Sequence, residues 1–129
     1  MAEPGQGFYP YQATIDGYGN GGFRFAGMSH RGSLLCLPTG MHKWDVSRPA
    51  DISLDNLRPV LDAADQIDVL LVGLGGDVSG LDKAIKAHLR DRKIIVEAIA
   101  TGGAVRTYNI LLGESRAVGA ALIAVESPR

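Results

Sequence analysis

Val69-Leu70-Leu71-Val72-Gly73-Leu74-Gly75-Gly76-Asp77 is the stretch whose reading decides the fold. Four consecutive apolar residues without polar alternation need cover on both faces, which marks a strand of a parallel sheet between helices. The glycines that follow supply a turn. Downstream, 79–92 reads as a helix, with Leu81, Ala84, Ile85, His88 and Leu89 on one face and Lys83, Lys86 and Arg90 outside it. A second apolar strand is predicted over 94–99, then a helix over 103–115 and a strand over 118–125. Upstream, 53–64 reads as a helix that Pro59 either kinks or begins, because an interior proline removes a hydrogen bond and clashes with the preceding turn. Ser53 is the expected cap of this helix, and Asp77 or Ser79 that of the next.

Nearer the N-terminus the pattern changes. From Ala13 to Val46 the apolar runs are short: Ala13-Thr14-Ile15, Gly22-Phe23-Arg24-Phe25-Ala26, 33–37 and the surroundings of Trp44. Gly17-Tyr18-Gly19-Asn20-Gly21, Ser29-His30-Arg31-Gly32 and Pro38-Thr39-Gly40 separate them, which predicts a β-rich, antiparallel opening. The fold class is therefore α/β, a three-layer sandwich with a β-rich N-terminal portion followed by alternating helices and strands, its sheet parallel at least in part. Residues 1–12 carry Pro and Gly without periodicity and predict a loosely ordered arm ahead of a single domain over 13–129.

A chain of 129 residues can bury one sufficient core without disulfides or metals. Thirteen Lys and Arg against fourteen Asp and Glu leave a net charge of -1 without blocks of one sign, which argues against a nucleic-acid partner. No apolar run approaches the ~20 residues of a membrane span. The N-terminus carries neither a signal-peptide nor a transit-peptide pattern, so a cytoplasmic location without membrane insertion is expected. The single cysteine, Cys36 in Leu34-Leu35-Cys36-Leu37, reads as a core thiol, since a nucleophile would need an activating base and solvent access. His30, His42 and His88 share no ligand spacing with one another or with Cys36, so neither a metal nor a cofactor is expected. Trp44 reads as packing over the sheet edge.

Ligands of open α/β sheets bind beyond the carboxyl ends of the parallel strands, which directs attention to the loops after Val72 and Ile99. Gly73 and Gly75 open the first loop. They serve either the turn and close strand-to-helix packing or the approach of a ligand, although the dinucleotide spacing and a P-loop lysine are missing. The second loop carries Thr101 and two glycines into a helix with Arg106 and Asn109 three residues apart and Glu114 further on. A helix N-terminus beside an arginine suits an anion or carboxylate. The alternative is that Arg106, Asn109 and Glu114 tie the helix to neighbouring loops.

The order of Ile15-Asp16-Gly17-Tyr18-Gly19, Gly22-Phe23, Gly32-Ser33-Leu34-Leu35, Pro38, Trp44, Leu71-Val72-Gly73-Leu74-Gly75, Thr101 and Ala104-Val105-Arg106-Thr107-Tyr108-Asn109-Ile110-Leu111 spans most of the chain. It resembles the family of domains of unknown function that includes the mitochondrial respiratory complex I assembly factor 3 and the adipogenesis-associated domain protein. Leu74 stands where that family commonly has a small hydroxyl residue, and Ser115 where it has glycine. The resemblance implies a three-layer fold with a mixed central sheet and a small β portion, and it supplies no reaction, catalytic residue or cofactor. It also implies a bacterial member, given the absence of a transit peptide.

Two functional readings follow. One is a non-enzymatic interaction or assembly module, by resemblance serving biogenesis of a respiratory complex, whose partner is another protein or a membrane-complex subunit. The other is an anion-binding protein or enzyme with Arg106 as clamp, Asn109 as hydrogen-bond partner and the 73–77 loop as opposite wall. No general base is evident beyond Asp77 and Glu114, which tilts the balance away from an enzyme. A homodimer through a sheet edge or helix face is left open, with no feature supporting it.

Overall fold

The apolar run at Val69–Gly73 becomes a central strand with neighbours on both sides. The computed structural model describes residues 8–76 and 80–128. In chain order the elements are β1 (Phe8–Tyr9), β2 (Gly17–Gly19), β3 (Gly22–Phe25), β4 (Met28–Arg31), β5 (Ser33–Leu37), β6 (Gly40–Trp44), α1 (Arg58–Asp62), β7 (Val69–Gly73), α2 (Lys83–Asp91), β8 (Ile95–Ile99), α3 (Thr101–Gly113) and β9 (Val118–Leu122). Six strands form the main sheet in the order β1-β6-β5-β9-β7-β8, and β2-β3-β4 form a small antiparallel sheet. β7 is parallel to both β8 and β9, whereas β5 runs antiparallel to β6 and β9, so the central sheet is mixed.

Strand alternation divides the core between the two faces. Leu35, Leu37, Leu70, Val72 and Ala121 face α1 and α2 with Leu57, Val60, Ile85 and Leu89. Leu34, Cys36, Leu71, Ala120 and Leu122 face α3 and the small sheet with Phe23, Phe25, Ala104 and Tyr108. The result is the three-layer α/β sandwich. Its two crossovers leave opposite faces because β7 to β8 and β8 to β9 step across the sheet in opposite directions while a crossover keeps one hand.

Several boundaries differ from the sequence reading. The 53–64 helix contracts to α1, with Pro59 in its first turn, where the missing N–H costs nothing. Ser53 caps the preceding turn instead: its Oγ accepts from Asn56 N at 3.2 Å, and Asn56 Oδ1 accepts from Ser53 N at 2.9 Å. Asp82 caps α2, accepting from Ala84 N at 2.8 Å and Ile85 N at 3.3 Å, while Asp77 and Ser79 lie outside the described residues. Only Leu81, Ile85 and Leu89 of the predicted α2 face are buried. Ala84 and His88 are exposed because this short helix leans on the sheet by one ridge. Ala13-Thr14-Ile15 is not a strand, whereas most of the predicted separators 17–21 and 29–32 falls into strands, Gly17–Gly19 and Met28–Arg31.

Of the expected N-terminal arm, residues 1–7 lie outside the described residues. Phe8–Tyr9 is tied in by pairing with β6, and Gln12 Nε2 donates to Val118 O at 2.7 Å. Trp44 is buried, and its Nε1 donates to Asn56 O at 3.0 Å. Cys36 is fully buried. Burial pushes its thiol well above the ordinary range, against the lowering effect of a hydrogen bond with Tyr108. A thiol reagent should therefore leave Cys36 unmodified for hours in native protein and modify it fully in denaturant; rapid native labelling would contradict its place in the core.

Candidate functional site

An open cleft of about 530 Å³ lies at the carboxyl edge of the parallel strands. Its position follows from the topology: the loop after β7 leaves toward α2 and the loop after β8 toward α3, so the two diverge and leave a crevice. Leu74, Gly75 and Gly76 contribute from the first loop, Ala100 and Gly102 from the second, and Ile123–Ser127 from the segment after β9. Tyr18 of the small sheet and Ser47, Arg48 and Pro49 of the loop after β6 complete the lining. The surface is mostly apolar, and it carries charges of both signs in Arg48 and Glu126. The Arg48 side chain is 76% exposed and lies 3.5 Å from Asp51 Oδ1.

Thr101 underlies this cleft as an internal tie. It is completely buried, its Oγ1 accepts from Gly75 N at 2.9 Å and donates to Ile123 O at 2.7 Å, and its own N–H donates to Gly75 O at 3.0 Å. One hydroxyl thus joins the ends of β7, α3 and β9. A Cβ on Gly73 would sit 2.9 Å from that hydroxyl and 3.1 Å from Leu122 Cδ2, so this position needs glycine for close packing. Gly75, with φ +73°, makes the left-handed turn that brings its backbone to the cleft.

The other sequence candidates lie elsewhere. Asn109 faces the 12–16 segment, where its Oδ1 accepts from Ile15 N and its Nδ2 donates to Ile15 O, each at 2.8 Å. Arg106 is exposed and does not line the cleft; its guanidinium leans back over Gly103, Nη2 lying 3.9 Å from where a Cβ would stand. Glu114 follows the far end of α3, roughly 20 Å along the helix from Thr101. The set therefore does not converge on one point: of the six only Gly75 lines the cleft, Gly73 and Thr101 pack behind it, and Arg106, Asn109 and Glu114 do not border it. Tyr18, Arg48 and Glu126 escaped the sequence reading because no spacing links three positions so far apart. Among the described residues no three His, Cys, Asp or Glu side chains come together as a metal-binding group, and no helix is long and apolar enough to cross a membrane.

The class defined by this geometry is a three-layer α/β sandwich with an apolar cleft at the switch between its two crossovers. Residues 15–123 match the family described as "Protein of unknown function (DUF498/DUF598)", and the chain belongs to that family. An uncharacterized protein of Rhodobacter capsulatus is 40% identical over 109 residues, covering 84% of this chain and 82% of that one. NADH dehydrogenase (ubiquinone) 1 alpha subcomplex assembly factor 3 of Mus musculus is 31% identical over 118 residues. That match takes in 92% of this chain but 64% of the mouse protein, so the chain spans just under two thirds of that relative. A solved outer membrane protein from Bartonella henselae is 47% identical, with a TM-score of 0.87 over 92% of this chain and 99% of that one.

Proposed function

We propose that this protein is a non-enzymatic docking module that acts in the cytoplasm on a protein partner during biogenesis of a respiratory complex, and that the carboxyl-edge cleft receives that partner. The observation that carries this reading is the make-up of the cleft. Leu74, Pro49, Ile123 and Val125 give an apolar lining beside Arg48 and Glu126, which suits the side chains of a peptide segment better than a small polar substrate. Thr101, the polar side chain beneath it, is committed to internal hydrogen bonds. The similarity to assembly factor 3 of the mouse supports the biological setting.

A small anionic metabolite in the same cleft is the second reading, favoured by Arg48 and by the first turn of α3 at Gly102 and opposed by Glu126 beside them. One experiment separates the two. Tagged wild-type protein and Arg48→Glu, matched in melting temperature, are recovered from cells of the native organism and their co-purifying proteins compared. Enrichment of respiratory-complex subunits by wild type, reduced about tenfold in the variant, is the expected result. If neither enriches any such subunit, the docking reading fails and stabilisation by anionic metabolites becomes the assay.

A further inference from the structure

We propose that the free edge of β8, together with the basic groove beside it, receives an extended segment of a partner protein in which acidic and apolar residues alternate. β8 ends the main sheet and pairs with β7 alone among the described strands. The hydrogen-bond phase is fixed at both ends: Ile95 N donates to Asp68 O and Ile99 O accepts from Leu74 N, each at 2.8 Å. Successive residues of a strand turn their N–H and C=O to opposite sides. Glu97 therefore points its backbone groups at β7 with Ile95 and Ile99, and Val96 and Ala98 point theirs outward. Those outward groups are a ready template for another strand. The opposite edge, β1, offers two residues.

The side chains flanking this edge say what kind of strand fits. On the α2 side a groove of about 420 Å³ is lined by Lys86, Arg90, Lys93, Ile94, Ile95 and Val96, three cations without a carboxylate among them. Lys86 and Arg90 are one helical turn apart on α2 and share a face. None of the three cations makes an ion pair among the described residues. On the α3 side, β8 presents Ile95, 66% exposed, and Glu97. An added strand places alternate side chains on the two sides of the sheet. Acidic residues are thus attracted on the α2 side, while the α3 side takes apolar residues over Ile95 and disfavours acids near Glu97. A second copy of this chain fits less well, because the one acidic residue of its own β8, Glu97, would fall on the α3 side.

This surface is distinct from the cleft, so the two proposals can fail separately. The test is fluorescence anisotropy of a labelled peptide of Val-Glu repeats against the whole protein, with a peptide of Val-Lys repeats, poly-Glu and single-stranded DNA as comparisons. Ala98→Pro removes an outward N–H that the fold does not use, and Lys86→Glu with Arg90→Glu reverses the groove's charge. A circular dichroism spectrum unchanged from wild type qualifies each variant. Saturable binding of the Val-Glu peptide, weakened about tenfold or more by each variant, reduced by added salt and unaffected by Arg48→Glu, is the expected result. The proposal is overturned by no binding, by binding indifferent to Ala98→Pro, or by equal binding of poly-Glu or DNA. A wild-type dimer in sedimentation that Ala98→Pro dissociates would also overturn it, by assigning the edge to a second copy.

Discussion

Replacing Thr101 by valine should lower stability by about 3 kcal/mol, roughly 10 °C in melting temperature, although the two side chains have almost the same shape. No cavity is created, so the loss comes from polar groups alone. The Gly75 N–H and the Ile123 C=O, both bonded to the Thr101 hydroxyl in a buried setting, are left without that partner, and a buried unsatisfied group costs about 1–3 kcal/mol. Thr101→Ser retains the hydroxyl and should lose only the packing of one methyl, about 1 kcal/mol. Urea unfolding of the three proteins with a common slope checks this, and a valine variant as stable as wild type would show that the tie carries no weight. Because Gly75 borders the cleft, hydrogen exchange in the loop after β7 should also speed up in the valine variant, coupling the core of the sheet to the shape of the proposed docking surface.

Thr101 also illustrates what local sequence pattern can and cannot convey. The unbroken apolar run at β7 announced a strand covered on both faces, and the rule for open α/β sheets directed attention to the edge where the cleft lies. What Thr101 bonds to could not be read, since Gly75 is 26 residues away and Ile123 is 22 away. The cleft draws on Tyr18, Arg48, Gly75, Gly102 and Val125, and only the assembled sheet makes them neighbours. The small sheet stayed hidden for a different reason. Gly17-Tyr18-Gly19 and Met28-Ser29-His30-Arg31 have the composition of turns, and they form strands because Phe23 and Phe25 between them anchor that sheet in the core. The contraction of α1 was open in the sequence as one of the two roles of Pro59, and tertiary packing decided it.

Asn109→Leu is the second change with a large expected effect, about 2–3 kcal/mol. Ile15 is buried, but its segment belongs to no sheet, so its N–H and C=O take the partners that a neighbouring strand would otherwise supply from the amide of Asn109 on α3. Tyr108 supports the same segment, its hydroxyl donating to Ala13 O at 2.7 Å, so the connection to the small sheet is held to α3 by two successive residues. Leucine removes both amide bonds, and faster hydrogen exchange in β2 and β3 should accompany the loss of stability. Asn109→Asp provides the sharper test. Its carboxylate can accept from Ile15 N, but it faces Ile15 O with no proton to donate, which raises the folded-state pKa above the usual aspartate value. The folded variant then holds its proton more tightly than the unfolded one. Its stability should be greatest below about pH 4 and fall as pH rises through the raised value, a dependence wild type lacks at this position. If Asn109 instead served a ligand alone, both variants would unfold together with wild type at every pH, and the clamp on Ile15 would be energetically idle.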